Sequence, residues 1–378
     1  MKAIQMVDLK SQYDKIKEEV DSRIQGVLST SAFINGPEVK GFQAELEQYL
    51  EVKHVIPCGN GTDALQVAMM ALGLKPGDEV ITTTFTFVST AEVIALLGLT
   101  PVLVDCDENS FLISTEAVRN AITPKTKVII PVHLFGQCCD MDEIMEIANE
   151  NNLFVIEDAA QSIGSSFHFK GGLSQQSGTI GDFGCTSFFP SKNLGCYGDG
   201  GALFTNDDAL ADKARVIVNH GMKVRYYHDE IGVNSRLDSI QAAVLRVKLK
   251  RLDEYGNSRR AVASHYDEAF KDLPQVITPT RVLNSFHVFH QYTLRIVGID
   301  RNALQKHMMD NGAPAMIYYP VPLHQQKAYI DDRYQDGDFP IAEQLAAEVL
   351  SLPMHTELDK EQLNKITETL RSFILENR

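Results

Sequence analysis

The sequence predicts an α/β protein with a mainly parallel sheet, followed by a smaller α+β unit toward the C-terminal end. Three observations carry this expectation. Short apolar runs alternate with helical patterns from His54 to Ile156, as in a sheet covered by helices on both faces. Beyond Arg251, strand-like runs and amphipathic helices are paired in a shorter stretch. The chain has 378 residues, 44% of them hydrophobic, which is long for one domain and enough to bury a substantial core. The expected division is a large unit over 1-250 and a small one over 251-378.

From Ser11 to Leu28 the residues Tyr13, Ile16, Val20, Ile24 and Val27 recur at helical steps, which marks an amphipathic helix. A second helix starts at Pro37, a residue suited to the first turn, and aligns Val39, Phe42, Leu46 and Leu50. The strand His54 to Cys58 runs into Gly59-Asn60-Gly61-Thr62-Asp63-Ala64, with a helix expected from Leu65 to Leu72. Val80 to Thr82 reads as a strand, and Phe85 and Phe87 open a helix reaching Leu97. Strands then fall at Val102-Val104, Val128-Val132 and Phe154-Ile156, with helices at Thr115-Ile122 and from Met141. The glycine-rich run from Gly171 to Gly184 reads as loop. Helical patterns begin at Ser239 and cover Tyr266 to Leu273, Arg301 to Asp310 and Glu361 to Asn377; strands are expected at Tyr292-Val297 and Ile317-Tyr319.

The balance of 35 basic against 50 acidic residues, a formal charge of -15, repels nucleic acid and anionic membranes. The six cysteines lack paired metal-site spacing, so a reduced, cytoplasmic protein without a metal centre is expected. The N-terminal residues lack an apolar signal core, and no apolar run is long enough to span a bilayer.

The chemistry centres on Ser187-Phe188-Phe189-Pro190-Ser191-Lys192, followed by Gly195 and Gly198-Asp199-Gly200-Gly201. A lysine in a turn behind an apolar strand is suited to hold a planar aldehyde, which makes Lys192 the candidate Schiff-base lysine. Pyridoxal 5'-phosphate also needs an acid beside its ring nitrogen, and Asp158 ends an apolar run in Val155-Ile156-Glu157-Asp158. The loop at Gly59-Asn60-Gly61-Thr62 lets backbone approach an anion at a helix N-terminus, so Gly61 and Thr62 are candidate phosphate contacts. The same Gly-x-Gly-x-x-Ala pattern is also a dinucleotide fingerprint, which would make the protein an NAD-linked dehydrogenase. That fingerprint wants an acid at the end of the second strand, whereas Asp78 and Glu79 stand at the beginning of theirs. Arg236 has two readings, an ion pair with Asp238 or recognition of an anionic substrate. His133 follows a strand end and reads as a core histidine.

Five stretches in order, at Gly59-Leu65, Thr84-Ala91, Glu157-Ser162, Ser187-Lys192 and Gly232-Asp238, resemble the fold-type I aminotransferases of the DegT/DnrJ/EryC1/StrS type, which act on nucleotide-linked keto sugars. The run from Phe188 to Gly201 is most similar to enzymes that aminate C3 of UDP-linked 3-keto-N-acetylhexuronic acids. The resemblance implies an aspartate aminotransferase-like large domain, with Phe87 stacking on the cofactor, Gln161 bonding its ring hydroxyl and Ser187 its phosphate. It implies a homodimer with shared active sites, in which Asn234 reaches the partner's phosphate. Tyr319 and His324 are implied at the sugar. L-glutamate is the implied donor, giving 2-oxoglutarate, and the amino sugar would supply a surface polysaccharide such as O-antigen. The alternatives within the resemblance are dTDP- or UDP-keto-6-deoxysugars aminated at C3 or C4, sugar dehydration, where histidine would replace Lys192, and a PLP-dependent regulator.

Overall fold

The computed structural model describes residues 2–377. A seven-stranded sheet lies at its centre, in spatial order His54–Cys58, Gly201–Thr205, Phe183–Ser187, Phe154–Asp158, Thr126–Ile130, Glu79–Thr83 and Thr100–Val104. Gly201–Thr205 runs antiparallel to both neighbours, and every other adjacent pair is parallel. The strands are apolar on both faces because both are covered. Val80, Val128, Ile130 and Leu203 pack into one core with Leu65, while Ile81, Ile129 and Val155 pack into another with Met141 and Ile144. Adjacent residues of a strand face opposite ways, so Val80 and Ile81 serve different cores.

A second, antiparallel sheet joins Val276–Ile277, Tyr292–Ile296 and Val349–Leu352. The helices Leu252–Phe270, Arg301–Asp310 and Lys360–Glu376 cover it, burying Tyr266, Phe270, Leu304 and Leu370 with Leu294 and Leu350. Two segments cross between these layers. Ile4 joins the core of the smaller sheet, whereas Ala342 and Leu345 of the helix Pro340–Glu348 pack beside Ile81 and Ile129.

Several elements differ from the sequence expectation. The helix expected from Leu65 begins at Gly61, because the Asn60 side chain accepts the Asp63 amide at 2.8 Å and caps it four residues earlier. The helix expected at Phe85 begins at Ser89, and the one expected at Tyr266 begins at Leu252. The stretch read as loop holds a strand, Ser174–Gln176, paired with Ser166–His168, and Phe183 already belongs to the central sheet. Ile317-Tyr318-Tyr319 is not a strand. Met316 alone pairs with Ser351, and the prolines at 320 and 322 remove the amides that would extend the ladder. All six cysteines are buried free thiols, and among the described residues no helix is long and apolar enough to cross a membrane.

Candidate active site

Cys58, Asp158 and Ser187 end parallel strands, and Gly201 begins the antiparallel strand between them, so all four meet at one sheet edge. A cavity of about 600 Å³ opens there. Lys192, Asp158, Gly61, Thr62, Phe87, Gln161, Ser187 and Tyr319 all line it.

Lys192 sits in a loop closed at its base, where the Phe188 amide donates to Gly200 and the Cys196 amide to Phe188. Gly195 lets the loop fold back, since a Cβ there would lie 2.3 Å from the Pro190 carbonyl oxygen. The Lys192 Nζ has no hydrogen-bond partner among the described residues. Burial pushes its pKa down from 10.5 to about 8, against the opposing pull of Asp158.

The two adjacent acids of Glu157-Asp158 are separated by strand alternation. Glu157 turns away from the cavity and accepts the amides of Gly178, Ile180 and Gly181, at 2.9, 2.6 and 2.8 Å. It also accepts from His133 Nε2 at 2.8 Å; His133 Nδ1 takes the Cys139 amide, so Nε2 carries the proton. His133 is thus a fully bonded core residue. Asp158 faces the cavity, its Oδ2 accepting from Thr90 Oγ1 at 2.7 Å and its Oδ1 from the Ala160 amide at 3.2 Å.

On the opposite wall, the helix Gly61–Leu72 points its N-terminus into the cavity. Helix geometry leaves the Gly61 and Thr62 amides without intrahelical acceptors. A Cβ on Gly61 would stand 2.8 Å from Ser187 Cβ, so glycine brings this helix end against the strand end. Phe87 keeps 53% of its surface exposed and faces the cavity, whereas Phe85 is wholly buried. Gln161 is held at both ends, accepting the Phe135 amide at 2.7 Å and donating to Tyr319 Oη at 3.2 Å.

Three candidates lie elsewhere. His324 is corrected to a core residue: it is buried, with Nδ1 at 2.9 Å from Thr84 Oγ1 and Nε2 at 3.1 Å from Glu343. Both nitrogens are engaged, and neither faces the cavity. Arg236 makes no ion pair with Asp238; it donates to Asn219 at 3.4 Å and lines a separate cleft with Lys40 and Arg215. Asn234 is exposed outside the cavity. Between them, Ser235 donates to Asp63 at 2.6 Å and accepts the Gly59 amide at 2.8 Å, tying this segment to the glycine loop.

Sequence reasoning missed Thr90, Ser235 and His290. Thr90 and Ser235 lie inside motifs quoted for other residues, but their partners are distant in sequence.

The residues fit pyridoxal 5'-phosphate. Helix-end amides beside Ser187 suit a phosphate, the uncovered face of Phe87 suits a flat ring, and a carboxylate and an unpaired amine line the same cavity.

The profile of the DegT/DnrJ/EryC1/StrS aminotransferase family matches residues 14–371. The chain is 46% identical to the UDP-2-acetamido-2-deoxy-3-oxo-D-glucuronate aminotransferase of Pseudomonas aeruginosa, over 97% of this chain and 99% of that one. It is 47% identical to a pleiotropic regulatory protein of Geobacillus stearothermophilus, over 98% of each. The crystal structure of S. venezuelae DesV in complex with a ketimine intermediate superposes with a TM-score of 0.94, at 37% identity over 99% of each chain. The chain therefore belongs to the DegT/DnrJ/EryC1/StrS aminotransferase family.

Proposed function

We propose that this protein is a pyridoxal-phosphate-dependent aminotransferase that moves an amino group from L-glutamate to C3 of a UDP-linked 3-keto-N-acetylhexuronic acid. The observation that carries the reading is the meeting of Lys192 and Asp158 in one cavity, in a chain 46% identical to an aminotransferase of that substrate class. Family membership favours transamination over the dehydrogenase reading of the glycine loop.

Bound pyridoxal 5'-phosphate supplies an electron sink for the carbon that carries the amino group. Gly61, Thr62 and Ser187 would hold its phosphate, Phe87 would cover one ring face and Gln161 would meet the ring hydroxyl. Asp158 remains an acceptor toward the cavity, steered by Thr90 and the Ala160 amide, and would keep the proton on the ring nitrogen. Lys192 Nζ acts as base and acid, removing the proton at the donor α-carbon and delivering one to C3 of the sugar. Its pKa, lowered to about 8, raises the neutral fraction at pH 7 to about a tenth, far above that of an ordinary lysine. Tyr319, fixed by Gln161, would contact the sugar.

Among the described residues, Lys192 is the only lysine or arginine lining the cavity, so the anionic groups of a nucleotide sugar call for cations from outside it. Arg236 is suited to that task across a homodimer interface, where Asn234 would reach the partner's cofactor phosphate. Beside them, Val224, Tyr226, Tyr227 and Ile231 are each at least 60% exposed, an apolar surface that a second subunit would cover. The division at residue 251 separates the seven-stranded sheet from the three-stranded one and is kept as the proposed domain boundary. A cytoplasmic enzyme supplying surface polysaccharide synthesis follows from this substrate class.

The test is to add L-glutamate to the cofactor-loaded protein, remove it, and then add UDP-2-acetamido-2-deoxy-3-oxo-D-glucuronate. Loss and then return of the visible absorption band, with an amino sugar detected by mass spectrometry, is the expected result. Loss of the band without its return shifts the search to dTDP-linked keto-6-deoxysugars. No response to any amino donor contradicts transamination and favours a regulatory role.

A further inference from the structure

His290 lines the active-site cavity, yet neither of its ring nitrogens has a hydrogen-bond partner among the described residues. The residue is only 6% exposed, and Nδ1 is fully enclosed. With Nδ1 enclosed, Nε2 is the nitrogen left to meet a ligand in the cavity. A buried polar group without a partner is rare in a folded protein and calls for a ligand or an ordered water.

The backbone around His290 is held from three directions, so its position is built rather than incidental. Its amide donates to the Phe135 carbonyl at 2.8 Å. The buried Arg259 guanidinium donates to the carbonyls of Phe289, His290 and Met354, at 3.1, 3.2 and 2.9 Å. Gly136 has φ +104°, and a Cβ there would lie 2.9 Å from the His290 nitrogen, so this close crossing requires glycine. Phe135 also donates its amide to Gln161, which joins His290 and the Gln161–Tyr319 pair through one residue.

Burial, together with the charges of Lys192 and Arg259, drives the His290 pKa well below 6.5 and keeps the ring neutral. A neutral imidazole offers one donor and one acceptor, which matches a hydroxyl or amide better than a carboxylate. Its neighbours in the cavity wall, Gln291, Tyr318 and Tyr319, are likewise neutral hydrogen-bonding groups.

We propose that His290 is a specificity-determining contact for the sugar acceptor, its cavity-facing nitrogen sharing a hydrogen bond with a hydroxyl or acetamido group of the keto sugar. This rests on the aminotransferase reading above and adds a residue to it. It separates the two half-reactions, because the amino donor does not need this contact and the sugar does.

The experiment compares His290→Leu and His290→Gln, which are close in size, in cofactor-loaded enzyme. The glutamate-driven loss of the visible band should stay within about twofold of wild type in both variants. With UDP-2-acetamido-2-deoxy-3-oxo-D-glucuronate, His290→Leu should raise KM about tenfold with little change in kcat, the effect of one lost hydrogen bond. His290→Gln, whose amide reaches the position of Nε2 and keeps a donor and an acceptor, should recover most of it. An unchanged sugar KM in His290→Leu, or equal losses in both half-reactions, overturns the proposal. Should His290→Leu fail to fold, 15N-histidine spectra of the wild type decide: UDP-N-acetylglucuronate should shift an imidazole signal that is missing in His290→Gln, and no shift overturns the assignment. A wild type inert toward glutamate instead removes the transamination reading, and this contact with it.

Discussion

The difference between Lys192 and an ordinary lysine is solvation. Its ammonium is largely buried and has no hydrogen-bond partner among the described residues, and so its pKa falls from 10.5 to about 8. Only the neutral amine attacks an aldehyde. The rate at which cofactor-free protein captures pyridoxal 5'-phosphate should therefore rise with pH, with a midpoint near 8, and level off above it. Stopped-flow absorbance across pH 6 to 11 checks this, and a rate still climbing through pH 10 would show an ordinary lysine. Glu157 and Asp158 make the complementary point, because neighbouring acids of one strand receive opposite surroundings. Glu157 is saturated by three backbone amides and His133, while Asp158 keeps acceptor capacity toward the cavity. The order of these residues was legible in the sequence, as was Lys192 behind its apolar strand. His324 was not, since nothing in Pro322-Leu323-His324 reveals that Thr84 and Glu343 will take both ring nitrogens.

At the scale of elements, the site is an edge where strand ends and one helix end are pressed together. The close approach of Gly61 to Ser187 presses the helix end against the strand end at the candidate phosphate cradle. Gly61→Ala should cost about 1–3 kcal/mol of stability through overpacking. It should also weaken pyridoxal-phosphate binding about tenfold or more, as the helix end is pushed off the strand. Gly171→Ala, with no atom within 4 Å of the added Cβ, is the matched control and should be near neutral in thermal melts and cofactor titration. The helix Arg301–Asp310 matched its expected bounds, and the start of Pro37–Leu50 was legible from its proline and periodicity. The strand Gly201–Thr205 gave no such signal. It is five residues long, buried throughout and lacks alternation, so only its pairing with His54–Cys58 and Phe183–Ser187 defines it. Met316 and its neighbours failed in the other direction, having strand-like composition but only one bridge to pair with.

For the whole molecule, charge argues for an assembly. The chain carries a formal charge of -15, and among the described residues its cavity lining offers one lysine and no arginine, which suits a cofactor but not a nucleotide diphosphate as well. If Asn234 serves a neighbouring subunit, Lys192→Ala and Asn234→Ala proteins should each be strongly impaired and yet complement one another. Mixed by reversible unfolding, half of the dimers would be hybrids with one intact site each, giving roughly a quarter of wild-type activity. No recovery on mixing would place Asn234 and Lys192 in the same subunit's site. Sedimentation of the wild type should give twice the 42.0 kDa chain mass.

The central claim, that Lys192 is the residue that holds the cofactor, has a direct test because the chain supplies its own control. Lys248 is also buried and also lowered to about 8 by desolvation, but it lies over the Tyr197 ring, outside the cavity and away from Asp158. Reduction of the cofactor-loaded protein with borohydride, followed by peptide mass mapping, reads which lysine is joined to pyridoxal phosphate. The label is expected on Lys192 alone. A label on Lys248, or on no lysine, would contradict the assignment.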